Sequence, residues 1–163
     1  ADSELQVYVS GQPERRSLLR FDLSSIPAGK TIIEAKLRLY CDTIYNTINS
    51  EIHRVTRSWV EGTGDWRYNA TNGVSWATYN GTNNWTAAGG DFSSTVSASL
   101  TFSTTGWKEW NITDLVNSWY NGTYPNYGMI LMQPSSNKHA YAWFRSREVS
   151  NPSLRPQLVV TYR

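Results

Sequence analysis

The sequence predicts an all-β fold: an antiparallel β-sandwich of jelly-roll type with one short helix and one long, ordered aromatic loop. Three observations carry this expectation. First, short segments of period-two alternation recur along the chain. The clearest runs from Ile33 to Asp42, where Ile33, Ala35, Leu37, Leu39 and Cys41 alternate with Glu34, Lys36, Arg38, Tyr40 and Asp42. Second, turn-forming clusters such as Ser24-Ser25-Ile26-Pro27-Ala28-Gly29 punctuate these segments. Third, only one stretch has helical spacing, so the helix-strand alternation of a parallel sheet is missing. Successive strand side chains point to opposite faces, so each alternating segment offers one wall to a core and one to water, and two such sheets close into a sandwich.

Taken in order, Leu5–Val9 reads as an opening strand closed by Ser10-Gly11-Gln12-Pro13. Ser17–Asp22 is the second, with Leu19, Phe21 and Leu23 sharing the apolar parity. Thr31–Asp42 is the long strand, and Glu51–Thr56 follows it with an ambiguous period. From Ser58 to about Leu100 the alternation stops, and Gly, Asn, Thr and aromatics take over. Trp59, Trp66, Trp76 and Trp85 in this stretch argue for an ordered, packed loop, because chains that stay unfolded are poor in aromatics. Trp59 and Trp76 are expected in a core beneath the loop. Trp107–Ile112 alternates again. Thr113–Tyr120 is the helix: Thr113 suits a cap, Asp114 the positive end, and Leu115, Val116 and Trp119 share a face. Tyr127–Gln133, Ala140–Arg145 and Gln157–Tyr162 complete eight or nine strands.

With 163 residues, the chain is expected to form a single module spanning 1–163. A net charge of +2 with scattered basic residues lacks the clustered footprint of a nucleic-acid binder. No apolar run reaches the length of a bilayer span, so membrane insertion is not expected. The opening Ala1-Asp2-Ser3-Glu4 has no signal-peptide pattern, so the chain is expected to be either cytoplasmic or a piece cut from a larger exported protein. The five sequons beginning at Asn69, Asn80, Asn84, Asn111 and Asn121 lean towards an extracellular or cell-surface setting. The lone Cys41 falls on an apolar parity and reads as a buried, unreactive thiol.

Several stretches, in order and spacing, resemble one family. They are Leu19-Arg20-Phe21-Asp22-Leu23-Ser24-Ser25-Ile26-Pro27, Ile33–Tyr40, Trp59-Val60-Glu61-Gly62, Gly73-Val74-Ser75-Trp76, Gly89-Gly90-Asp91-Phe92 and Arg155–Tyr162. Together they resemble the DNRLRE domain, which is allied to carbohydrate-binding module family 96. The resemblance implies a β-sandwich module attached to large secreted or cell-surface proteins. These include polysaccharide lyases and the disaggregatases of Methanosarcina-type archaea.

The residues support binding rather than catalysis. His53 and His139 lack ligand-type spacing, there is no nucleophile elbow or phosphate loop, and Glu61 and Asp65 alone offer a close carboxylate pair of the kind glycoside hydrolysis needs. The chain is therefore expected not to be an enzyme. Aromatic rings suit the C–H face of a pyranose, and Asn, Arg and Lys its hydroxyls or carboxylates. On this chemistry the expected sugar-binding residues are Trp66, Arg67, Tyr68, Tyr79 and Trp85 in the loop, with Arg145 and Arg147 as cations for a uronic-acid polymer. Against this stands a solvated charged face, with Lys36 and Arg38 paired to Glu34 and Asp42. Asp91 and Glu61, beside flexible glycines, are the candidates for a structural calcium ion. The expected partners are a polysaccharide, acidic in character, and other domains of the parent protein. The competing reading is a structural or adhesive module that packs against a neighbour without recognising sugar.

Overall fold

A computed structural model of the chain describes residues 4–9, 14–63, 72–134 and 139–163. Among these residues nine strands form two antiparallel sheets, as the alternation predicted. They are β1 (Glu4–Val9), β2 (Ser17–Leu19), β3 (Ile32–Tyr45), β4 (Ile48–Val55), β5 (Phe92–Phe102), β6 (Gly106–Asn111), β7 (Met129–Met132), β8 (Ala140–Arg145) and β9 (Gln157–Tyr162). The helix α1 spans Thr113–Tyr120. One sheet has the order β1-β8-β3-β6 with β9 also pairing β3, and the other has the order β2-β7-β4-β5. This interleaving of sequentially distant strands is a jelly roll with one added strand.

β3 organises the first sheet, as its length and alternation predict. Its early half pairs β9, its late half pairs β8, and β6 lies along its other side. Ala35, Leu37, Leu39 and Cys41 are fully buried. They meet Ile48, Ile52 and Leu131 of the second sheet, with Trp110, Ile112, Val116 and Phe144 filling the space between. Trp110 also donates its indole N–H to Ser50 Oγ at 3.0 Å, and Ser50 in turn donates to Leu100 O at 2.7 Å. A buried polar chain thus ties the sheets together.

Four expectations are corrected. An eleven-residue strand, β5, occupies the end of the stretch read as irregular. Its Ser- and Thr-rich sequence hides the alternation because it is an edge strand, with five of its eleven residues exposed and one buried. β2 stops at Leu19, three residues short. Thr113 does not cap α1. Its Oγ1 accepts from Ala35 N at 2.9 Å and donates to Asn111 Oδ1 at 2.6 Å, stitching the helix start to β3. Lys36 does pair with Glu34, but Arg38 pairs with Glu109, while Asp42 belongs to Arg145.

The outer face of the second sheet is exposed at Asn49, Ser99 and Thr101 but covered around Leu18, Val55 and Ile130. A second, smaller core of Val55, Trp59, Trp85 and Ile130 lies there, joined by Leu18, Tyr79 and Phe92. The aromatic loop between β4 and β5 covers that part. It is ordered over its described residues, as its tryptophans predicted. No helix among the described residues is long and apolar enough to cross a membrane.

Candidate functional site

The loop between β4 and β5 turns back on itself through backbone bonds: Val60 N to Tyr79 O, Val74 N to Val60 O and Tyr79 N to Asn83 O, at 2.9, 2.6 and 3.0 Å. Gly62, at φ +73°, and Gly73 meet with no room for a side chain between them. This folding leaves an open trough of about 990 Å³ against the second sheet, lined among others by Arg16, Arg57, Tyr79, Asp91 and Tyr127. A space of that size suits a small ligand.

Charge and aromatic surface alternate along it. Arg57 lies 5.0 Å from the Tyr79 ring centroid and ion-pairs with Asp91 at 2.6 Å. Arg16 lies 4.9 Å over Trp76 and 5.3 Å over Phe92, donating to Glu14 and to Gly89 O. Beyond the trough, Arg20 sits 5.3 Å over Trp59 and Arg54 3.7 Å over Tyr124, and neither forms an ion pair among the described residues. Four arginines are thus held against rings in and beside the trough. A guanidinium has five N–H donors, so both Arg16 and Arg57 keep donors beyond those their carboxylates use.

The sequence-predicted residues separate into groups. Tyr79 lines the trough, half-buried. Trp85 offers its ring to no ligand, which corrects its assignment to a sugar surface: it is 5% exposed, its indole N–H is bound to Ser75 O at 2.9 Å, and Tyr79 packs on its edge. Trp76, expected beneath the loop, is instead 44% exposed. The two exchanged places because burial here follows which side of the loop backbone faces the sheet, and a segment without period carries no such parity. Arg147 reaches the loop by pairing with Glu61 at 3.1 Å, and also binds Glu148. Arg145 lies on the outer face of the other sheet, paired with Asp42. Trp66, Arg67 and Tyr68 lie outside the described residues.

Asp91 and Glu61, the calcium candidates, each face an arginine. Burial pushes the Asp91 carboxyl up, but hydrogen bonds from Arg57, from the Thr86 and Ala87 amides and from the Thr86 hydroxyl outweigh it and hold the group below its usual value. Among the described residues, no three His, Cys, Asp or Glu side chains gather as a metal site would require. Each of the two carboxylates is paired with a guanidinium.

His53 is buried, bound to Ser93 O at 2.9 Å and Glu51 at 3.2 Å, as a structural histidine. His139 is exposed. Arg16, Arg57 and Tyr127 were missed by sequence reasoning. They lie just before β2, just after β4 and just before β7 and share no motif, although Arg57 beside Ser58-Trp59 was the one available hint.

Comparison with known families gives one result: the sequence profile of carbohydrate-binding module family 96 matches residues 1–162. No curated protein matches the chain.

Proposed function

The chain belongs to carbohydrate-binding module family 96, and on that premise we propose that it binds an extracellular, uronic-acid-containing polysaccharide at the loop-side trough. Modules of this class bind sugar without catalysing its cleavage. The observation that carries the reading is the pairing of separate aromatic rings with the two arginines that line one trough: Tyr79, also in the lining, with Arg57, and Trp76, beside the trough, with Arg16. Rings meet the apolar face of a pyranose, and guanidinium forks meet carboxylates. Arg20 and Arg54, which form no ion pair among the described residues, favour an acidic over a neutral chain. The module serves a larger polysaccharide-degrading or cell-surface protein, which it holds on its substrate.

The test is calorimetric titration of the domain with galacturonate hexamer and with cellohexaose. Saturable heat with the acidic hexamer, weakened roughly tenfold by Trp76→Ala, supports the reading. Trp76 is half-exposed, so its removal leaves the core in place. No heat from the acidic hexamer while the domain stays folded would overturn it, and would favour a domain-packing role.

A further inference from the structure

Trp76, beside the trough, is exposed, yet its surroundings hold it from several directions. Its carbonyl accepts from Gly89 N at 2.7 Å. The carbonyls on either side are both taken by Trp85, Ser75 O by the indole N–H at 2.9 Å and Ala77 O by the backbone N–H at 3.0 Å. The backbone beneath the ring is therefore fixed. Gly89, at φ +93°, packs bare backbone against the ring edge: a Cβ there would lie 2.9 Å from Trp76 Cζ2 and 2.8 Å from Arg16 Nη1.

Arg16 completes the clamp. Its guanidinium lies 4.9 Å from the Trp76 ring centroid and 5.3 Å from that of Phe92 on β5, and Phe92 in turn lies 5.2 Å from the buried His53 ring of β4. Four planar groups thus run outward from the second sheet to the surface. The guanidinium is itself held, with Nε donating to Glu14 at 2.8 Å and Nη1 to Gly89 O at 3.0 Å. Its side chain is only 16% exposed, against 43% for Arg57.

We propose that Arg16 is a positioning residue, which fixes the Trp76 ring as a preformed platform for a sugar ring and leaves the ligand's carboxylate to the more open Arg57. The inference rests on the polysaccharide reading of the trough. A loop tryptophan loses rotamer freedom when it binds, and holding the ring beforehand removes that cost. Guanidinium suits the task because it is planar, stacks on rings and donates in fixed directions, whereas an ammonium is a point charge without a plane. The indole N–H groups separate the loop's tryptophans in the same way. Trp59 and Trp85 spend theirs on Tyr127 O and Ser75 O, but that of Trp76 has no hydrogen-bond partner among the described residues and stays available to a sugar oxygen.

The test labels the domain with 5-fluorotryptophan and follows the Trp76 signal by fluorine NMR, assigned by its absence from Trp76→Phe. In Arg16→Lys that signal is expected to shift and broaden, while the other tryptophan signals hold their places and so report an intact fold. Galacturonate hexamer is expected to bind about fivefold more weakly to Arg16→Lys and about tenfold more weakly to Trp76→Ala. The double variant is expected to bind no more weakly than Trp76→Ala, because Arg16 acts through the ring. A residue that touched the ligand itself, or only supported the fold, would add its own loss. A loss of about fiftyfold in the double variant therefore overturns the proposal, as does an unmoved Trp76 signal in Arg16→Lys. Absence of binding by the wild type overturns instead the polysaccharide reading, and the fluorine signal still decides whether Arg16 holds the ring.

Discussion

Arg57 Nε donates to the Asp91 carboxylate at 2.6 Å and so joins the two ends of the aromatic loop, Arg57 just after β4 and Asp91 just before β5. The Asp91 side chain is only 10% exposed, and the Thr86 hydroxyl and the Thr86 and Ala87 amides also donate to it. The lowered folded-state value means that Asp91 stabilises the fold above the unfolded carboxylate pKa of about 3.9 and loses that contribution as pH falls through the folded value. Asp91→Asn is expected to cost roughly 1–3 kcal/mol at neutral pH. Thermal melts from pH 7 downward should show the gap between wild type and variant narrowing below about pH 4.

The same geometry bears on calcium. With Asp91 held by Arg57 and Glu61 by Arg147, a chelator is expected to leave the melting temperature unchanged, and millimolar calcium is expected not to raise it. A shift on chelation would show that the two carboxylates hold a cation after all.

Gly62 and Gly73 pin the loop at its neck. A Cβ on Gly73 would lie 2.5 Å from Glu61 O and from Gly62 Cα, which are backbone atoms that cannot step aside cheaply. Gly73→Ala is expected to destabilise by about 1–3 kcal/mol, the usual cost of overpacking, and to open the loop. Limited proteolysis should cut the variant within the loop faster than wild type.

Ser50→Ala leaves the Trp110 indole N–H, 1% exposed, without its acceptor. The expected loss is about 1–3 kcal/mol by denaturant melting. The double variant with Trp110→Phe should lose less than the sum of the single changes, because the two residues share one bond.

Cys41 is fully buried, and burial pushes its thiol up to about 11. It should ignore a disulfide reagent such as DTNB at neutral pH and react stoichiometrically once the chain is unfolded.

Where strand parity was written into the sequence, it determined the structure closely. The alternation from Ala35 to Cys41 set which side of β3 is core and which is charged, although Ile33, read on the core side, is 50% exposed because a register shift between Ile32 and Glu34 buries Ile32 in its place; the apolar positions of Leu115, Val116 and Trp119 set the buried face of α1. The family followed from motifs such as Trp59-Val60-Glu61-Gly62, which hold the loop neck in place. These features are local: a period or a turn depends on neighbours within a few residues. The grouping of side chains on the surface depends on something else. Trp76 and Trp85 are nine residues apart in the same aperiodic segment, yet one is exposed and the other is buried, and only the path of the loop over the second sheet decides which. Tyr8, Tyr45 and Tyr141 become a single row through the pairing registers of three strands distant in sequence. Register is a property of the assembled sheet, fixed by cross-strand packing and bulges, and no stretch of the chain read alone carries it.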